Sequence, residues 1–163
     1  MVKASSTTSS FPLPAGILLG LGLGGFFDGI VLHQLLQWHH IATSAGYPAD
    51  SMPNLEFNTL LDGLFHAATW ILTAAGLFLL WRAARQPHER WPAGLLAGSI
   101  LMGFGLFNLV EGLINHQLLG LHHVNETVPP EQWIYWDLAF LASGAILLAL
   151  GWLIYRPAAK SIA

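Results

Sequence analysis

Acidic residues and histidines occur in a phrase that is present twice in the chain. Each residue of the first copy has a counterpart 83 positions later: Asp28, His33, His39 and His40 correspond to Glu111, His116, His122 and His123. Imidazoles and carboxylates bind metal ions, hold cofactors or carry protons, and they are costly in hydrocarbon unless they serve such a purpose. Because both copies end segments that are apolar enough to cross a membrane, the repeat predicts a buried site for this chemistry.

The composition indicates an integral membrane protein. Of the 163 residues, 54% are hydrophobic and only 9% are charged, whereas about a quarter are charged in an ordinary soluble domain. The absence of cysteine excludes disulfides, thiolate metal sites and cysteine nucleophiles. Three methionines are too few for a thioether copper(I) relay. The few basic residues form no stripe, so the sequence predicts no nucleic-acid partner.

Four stretches are long enough for the roughly 20 apolar residues that a membrane helix needs. They cover residues 12–41, 57–82, 92–121 and 132–155, with prolines close to their boundaries. The predicted fold is therefore all-α, an integral membrane four-helix bundle. Residues 11–163 form a single four-span membrane domain that is preceded by a flexible tail, residues 1–10. The bundle contains two repeated helical hairpins, 12–82 and 92–155.

The basic residues all fall on one side of this four-span arrangement: Lys3, Arg82, Arg85, Arg90, Arg156 and Lys160. By the positive-inside rule, the N and C termini and the central loop face the cytoplasm. The second and fourth spans also correspond, since Asp62 matches Asp137 at a shift of 75. Both hairpins begin on the cytoplasmic side, so the repeat is parallel and its two histidine phrases face each other.

Depth estimates at about 1.5 Å per residue place three histidines, one from each of three spans, in one layer below the outer surface. With the neighbouring carboxylates they form the predicted metal-ligand set: His33, His66, His116, Asp62, Asp137, Asp28 and Glu111. Asp62 and His66 are an i, i+4 pair that can meet one ligand. Because Leu141 stands at the position equivalent to His66, the centre is expected to be asymmetric. Gln34 and Gln117 are candidates for fixing the imidazole tautomers.

The remaining histidines are predicted to lie nearer to solvent. If the helices continue to the ends of the predicted spans, both His-His pairs reach the outer surface, where they form an access site for the metal or are simply solvated: His39, His40, His122 and His123. His88 belongs to the cytoplasmic loop and is expected to be solvated.

The doubled phrase also carries a family resemblance. Phe27-Asp28-Gly29-Ile30-Val31-Leu32-His33-Gln34 and Asn108-Leu109-Val110-Glu111-Gly112, with His116-Gln117 following, resemble a family of small bacterial four-span membrane proteins that is labelled as a domain of unknown function. The resemblance covers nearly the whole chain apart from the tails. It implies a location in the bacterial inner membrane, and it brings no activity with it. The distribution of basic residues places the predicted site toward the extracytoplasmic side.

The residues support three functional hypotheses. The first is a metal-binding protein with a His/carboxylate centre, which could be dinuclear, in the outer half of the bundle. Zinc, copper(II), iron and manganese all accept such ligands, and the centre could belong to a metal-dependent oxidoreductase whose catalytic residues the sequence does not define. The lipid bilayer and the metal ion are the implied partners. The sequence is compatible with a homo-oligomer and does not decide the oligomeric state.

The second hypothesis is a b-type haem protein in which His33 and His116 ligate the iron. The third is a proton or metal ion transporter with the buried acids as a relay. A transporter needs a path to both sides, and the cytoplasmic half of the spans consists almost entirely of glycine, alanine, leucine and aromatic residues. The sequence therefore favours the metal centre over transport.

Overall fold

A computed structural model of the protein describes residues 10–88 and 90–161, and these form an all-helical membrane protein. The four main helices are α1 (Leu13–Phe27), α2 (Met52–Ala84), α3 (Ala93–Glu111) and α4 (Trp133–Lys160). The helical segments Leu13–Leu35, Met52–Ala84, Ala93–Leu118 and Pro130–Lys160 are all long and apolar enough to cross a membrane. The predicted all-α fold with four spans is therefore confirmed. The predicted tail lies outside the described residues except for Ser10.

The helices are arranged around a central pair. Within residues 10–88 and 90–161, α1 packs on α3, α2 packs on α1, α4 packs on α3, and α2 does not contact α4. α1 and α3 can approach closely because glycines face each other, and a Cβ atom at Gly20 would lie 2.1 Å from the Ile100 carbonyl oxygen. α2 and α4 leave most of their apolar surface exposed. This surface suits contact with lipid.

The two central helices end earlier than their apolar sequence predicts. α1 continues as a π-helical segment over Asp28–Leu35, and α3 continues likewise over Gly112–Leu118. The chain then reverses at two equivalent positions with positive φ, Gln37 at 51° and Gly120 at 57°. The predicted spans 12–41 and 92–121 are thus too long at their C-terminal ends. Residues beyond the turns fold back over the helix ends instead of continuing outward.

The two turns predict opposite responses to substitution. Gly120→Ala is expected to lower the free energy of unfolding by about 1 kcal/mol, because an L-residue with a side chain is disfavoured at this φ. Gln37→Gly is expected to raise that free energy by a similar amount, since it relieves the same cost in the first copy. Chemical denaturation in detergent, followed by circular dichroism, measures both. Equal effects of the same sign would contradict the assignment.

Candidate metal centre

Polar side chains replace an apolar core in the part of the bundle where the π-helical segments end. Most of the largest fully buried side chains of the described residues belong to this cluster: His33, His39, His122, Asp28, Asp62 and Asp137. His116 and Glu111 join them at 3% and 6% exposure. A small group of apolar side chains, including Leu32 and Phe107, packs beside the cluster. Burial of so many ionisable groups is unfavourable unless they pair with each other or with a cation.

Asp62 on α2 contacts several polar groups of the first repeat. Its Oδ1 atom lies 2.9 Å from His33 Nδ1 and accepts a hydrogen bond from the Ile41 backbone N–H at 3.2 Å. Its Oδ2 atom lies 2.6 Å from His40 Nδ1 and accepts a bond from the Gln34 side chain at 3.2 Å. An ionised carboxylate only accepts hydrogen bonds, so both imidazoles donate to it through Nδ1. This leaves Nε2 as the free nitrogen of His33.

Asp137 on α4 plays the same part in the second repeat. It accepts hydrogen bonds from the Val124 backbone N–H at 3.0 Å and from the Gln117 side chain at 3.2 Å. His123 Nδ1 lies 2.7 Å away, matching the contact between His40 and Asp62. The contact to His116 is looser, because Asp137 Oδ1 lies 3.7 Å from its Nδ1 atom. The first repeat therefore holds its central imidazole more firmly than the second.

The two folded-back loops cross over each other above the helix ends. His39 Nδ1 donates to the Val124 carbonyl at 2.8 Å, and His122 Nδ1 donates to the Ile41 carbonyl at 3.1 Å. The two rings stack in parallel with their centroids 4.4 Å apart. Further backbone bonds join the loops, including Ser44 N–H to the Leu121 carbonyl at 3.0 Å. These contacts place one imidazole from each repeat in the middle of the cluster.

The two inner acids lie beneath these imidazoles. Asp28 Oδ2 is 3.2 Å from His33 Nε2, and Glu111 Oε2 is 3.1 Å from His116 Nε2. Neither pair has the alignment of a hydrogen bond, and both nitrogens have no partner among the described residues. Glu111 Oε1 also lies 2.9 Å from His122 Nε2. If the imidazoles are neutral, lone pairs of nitrogen and oxygen face each other here, which is favourable only with a proton or a metal cation between them.

The pKa values of the two stacked imidazoles are shifted in opposite directions. Burial lowers the pKa of His39 well below its ordinary value, and the neighbouring His122 and His33 lower it further. His39 is therefore neutral, with its proton on Nδ1 and a free lone pair on the unpartnered Nε2. Burial also opposes charge on His122, but its hydrogen bond to Glu111 and the attraction of Glu111 and Asp28 outweigh burial and raise its pKa. A bound metal ion could replace the second proton of His122.

Ligand atoms converge in three overlapping groups within the described part of the chain. One group crosses between the repeats and contains His33, His39 and His122, with ligand atoms within 4.8 Å of one another. The other two groups are His33, His40 and Asp62, and Glu111, His116 and His122, which meet the same limit. Such spacing allows the members of each group to contact one ion after small side-chain movements. His33 and His122 each belong to two groups and are the centre of the arrangement.

All but one of the predicted metal ligands lie together in the buried polar cluster. His66 lies apart from the hydrogen-bonded cluster: its ring packs against Gly29 and stacks on Phe26, with the centroids 6.4 Å apart. Its counterpart Leu141 packs against Gly112 in the same way. His66 and Leu141 thus make the same packing contact, and His66 Nε2 is a further buried nitrogen without a partner among the described residues. Gln34 and Gln117 contact the aspartates, not the imidazoles whose tautomers they were predicted to fix.

The predicted outer histidines are closer to the centre than the sequence indicates. His39 and His122 are almost completely buried, so the expectation that they reach the outer surface is wrong. The reason is the early end of the two central helices, which returns these residues to the bundle. His40 and His123 keep 12% and 25% side-chain exposure and contact the aspartates. Gly120, a typical helix-terminating residue, is the one sequence signal for this reversal.

The fold and the cluster define a multi-pass membrane protein with buried groups of histidine and carboxylate that could bind metal. Over residues 15–158 the chain matches the family described as "Predicted membrane protein (DUF2243)". Because the match covers most of its length, the chain belongs to this family, a domain of unknown function, as the resemblance of the doubled phrase predicted. The comparisons with curated proteins and with solved structures give no match.

Proposed function

We propose that the protein holds a transition-metal centre inside the membrane, in the half of the bundle beside the folded-back loops. One observation carries this proposal. The buried imidazoles of His33 and His39 are anchored through Nδ1. Nitrogen and oxygen atoms without partners among the described residues lie in the same cluster: Asp28 Oδ1, His33 Nε2, His39 Nε2, Glu111 Oε2 and both ring nitrogens of His116. Carboxylates and carbonyls that fix one imidazole nitrogen and leave the other for a metal are typical of metal sites.

Two triads at corresponding sequence positions are the proposed ligands. Asp28, His33 and His39 come from the first repeat, and the second repeat supplies Glu111, His116 and His122. Only the second triad has all its ligand atoms within 4.8 Å of one another; in the first, Asp28 contacts His33 at 3.2 Å. Each triad offers two imidazoles and one carboxylate, a set that binds one ion and leaves coordination positions open. The centre therefore has the capacity for two ions. Asp62 orients His33 through a hydrogen bond, whereas Asp137 lies 3.7 Å from His116 Nδ1 and makes no hydrogen bond to it. The group of His33, His40 and Asp62 offers a different place for one ion.

The donor set limits the metal and its chemistry. Imidazole and carboxylate without sulfur suit zinc, copper(II), iron and manganese. Iron or copper would supply redox chemistry and zinc would activate water, so a metal-dependent oxidoreductase is one form of this proposal. The protein's own contribution is a water-poor pocket with imidazoles held in fixed orientations. The charge pattern supports a bacterial inner-membrane protein with this centre toward the extracytoplasmic side.

The two alternative functions fit the contacts less well. A haem between His33 and His116 needs room for a wide planar macrocycle, but His39 and His122 occupy that region with ring centroids 4.3 Å from His33 and 4.9 Å from His116, respectively. Transport of protons or metal ions needs a path below the inner acids. There the close packing of Gly20 on Gly103 leaves no room even for a methyl group.

Metal analysis of the purified protein tests the proposal. Freshly purified wild type in detergent is expected to contain one to two equivalents of a transition metal by elemental analysis, because its ligands are preformed. His33→Ala is expected to lose most of it, while His88→Ala, in the cytoplasmic loop, serves as the control and keeps the wild-type content. Absence of metal in wild type after incubation with zinc, copper, iron and manganese salts would overturn the proposal. An intense Soret band would favour the haem alternative.

A further inference from the structure

A cavity of about 1020 Å³ lies between the two folded-back loops on the outer side of the cluster. We call it the outer vestibule, and define it by six of its lining residues: His39, His40, His123, Asp50, Glu126 and Trp133. It is wide enough for a hydrated ion together with several water molecules. Its walls come from both repeats, so it is a feature of the assembled bundle and not of one loop.

The outer vestibule carries negative charge. Asp50 and Glu126 are among its lining residues, whereas no lysine or arginine is found among the described residues that line it. The basic residues of the sequence lie in the N-terminal tail, in the central loop around Arg85, and at the C-terminal end. A concave surface lined by acids raises the local concentration of cations and speeds their arrival. The charge pattern therefore selects cations over anionic ligands.

The outer vestibule borders the proposed metal centre. His39 lines it and is also a member of the central group with His33 and His122. Its side chain is nearly completely buried, and its Nε2 atom has no partner among the residues that the structure describes. His40 and His123 line the same cavity and are anchored through Nδ1 to Asp62 and Asp137. Imidazole nitrogens are thus available along the way from the cavity to the centre.

We propose that the outer vestibule is the loading site through which a divalent transition-metal cation reaches the centre from the outer side. Asp50 and Glu126 attract the hydrated cation, and the imidazoles of His123 and His40 give it its first nitrogen ligands. His39 then receives it at the boundary with the buried triads. This inference rests on the proposed function, since it assigns the route by which the proposed centre is filled.

Loading kinetics of the metal-stripped protein test the route. In stopped-flow experiments in detergent at low ionic strength, Co²⁺ is mixed with wild type, Glu126→Gln, Asp50→Asn and the double variant. The double variant is expected to load about tenfold more slowly while reaching the same final stoichiometry, because the acids steer the ion without holding it in the centre. Salt is expected to slow wild type and to affect the double variant much less.

Two controls separate charge from structure. Ser44→Ala removes the hydrogen bond that Ser44 donates to Glu126 at 2.5 Å but keeps the carboxylate charge, so its loading rate is expected to match wild type. Glu131→Gln removes an exposed acid that does not line the outer vestibule, and it is also expected to match wild type. Asp50→Asn remains informative if substitution of Glu126 disturbs the loops.

The outcomes distinguish this inference from the proposed function. Equal loading rates in wild type and the double variant, with full stoichiometry in both, would overturn the loading route and leave the metal centre intact. Slowing by Ser44→Ala to the same extent as by Glu126→Gln would also overturn it, since a structural effect would then explain the rates. A wild type that binds no metal would overturn the metal centre itself.

Discussion

His122→Ala is expected to reduce metal affinity by at least about 100-fold, more than substitution of a histidine at the edge of the cluster. His122 belongs both to the group with His33 and His39 and to the group with Glu111 and His116. Loss of a residue that only orients a ligand typically costs 10–100-fold, so loss of a ligand shared by two groups should exceed that range. Competition with a chelating dye measures the affinity, and elemental analysis measures the remaining metal.

The neighbouring histidine provides a matched comparison. His123 follows His122 in the chain but keeps a quarter of its side chain exposed and contacts Asp137. His123→Ala is therefore expected to weaken binding by no more than about tenfold. Because His122→Ala also leaves the Ile41 carbonyl without its donor, His122→Gln is needed as a second variant that retains a donor but ligates poorly. Wild-type affinity in a folded His122→Gln variant would exclude His122 as a ligand.

The membrane spans and the matching contacts of the two aspartates illustrate what the sequence can predict. A membrane helix depends on the composition of one continuous segment, so the number and approximate positions of the four helices follow from hydropathy, whereas their ends do not. The duplication adds information about distant contacts, since corresponding residues are expected to have corresponding neighbours. Asp62 and Asp137 accept bonds from matching partners, His40 and His123 among them.

The folded-back loops illustrate what the sequence does not reveal. Helix ends depend on a local conformation, and in the first copy the left-handed position is occupied by Gln37, which gives no signal for it. A prediction that continues the helix to residue 41 carries His39 outward. In the structure, the bond from His39 to the Val124 carbonyl joins residues 85 positions apart in the sequence. Such a contact depends on the packing of both repeats, which local patterns do not contain.

The position of His66 has a similar explanation. Depth along a straight helix places it level with His33, but depth does not determine the direction of a side chain around the helix axis. Gly29 has no side chain, so α2 approaches there and the ring of His66 fills the space, as Leu141 does beside Gly112. At this position the two repeats therefore differ in the side chain that packs against the glycine, His66 in one and Leu141 in the other. Among the ligand candidates the repeats differ in the acid, Asp28 against Glu111.

Asp62→Asn is expected to lower metal affinity by about 10–100-fold without changing the number of ions bound at saturation. Asp62 accepts hydrogen bonds from His33 and His40, and the contact to His33 holds its Nε2 atom toward the centre. The asparagine side chain keeps one acceptor oxygen, but its NH₂ group replaces the other oxygen. One of the two imidazole N–H groups would then face a donor instead of an acceptor. Asp137→Asn is expected to have a smaller effect, because Asp137 Oδ1 lies 3.7 Å from His116.

Spectroscopy of the Co²⁺-loaded protein distinguishes an orienting residue from a ligand. If Asp62 only orients His33, the visible absorption bands of Asp62→Asn at saturating Co²⁺ keep the wild-type pattern, since the ligand set is unchanged. If Asp62 ligates an ion together with His33 and His40, those bands shift and one equivalent of metal is lost. The second result would place one ion at the group of His33, His40 and Asp62. Glu131→Gln alters an exposed acid that lies outside the outer vestibule and outside all three ligand groups. It is expected to leave affinity and spectrum unchanged, and it controls for the loss of a carboxylate charge outside the site.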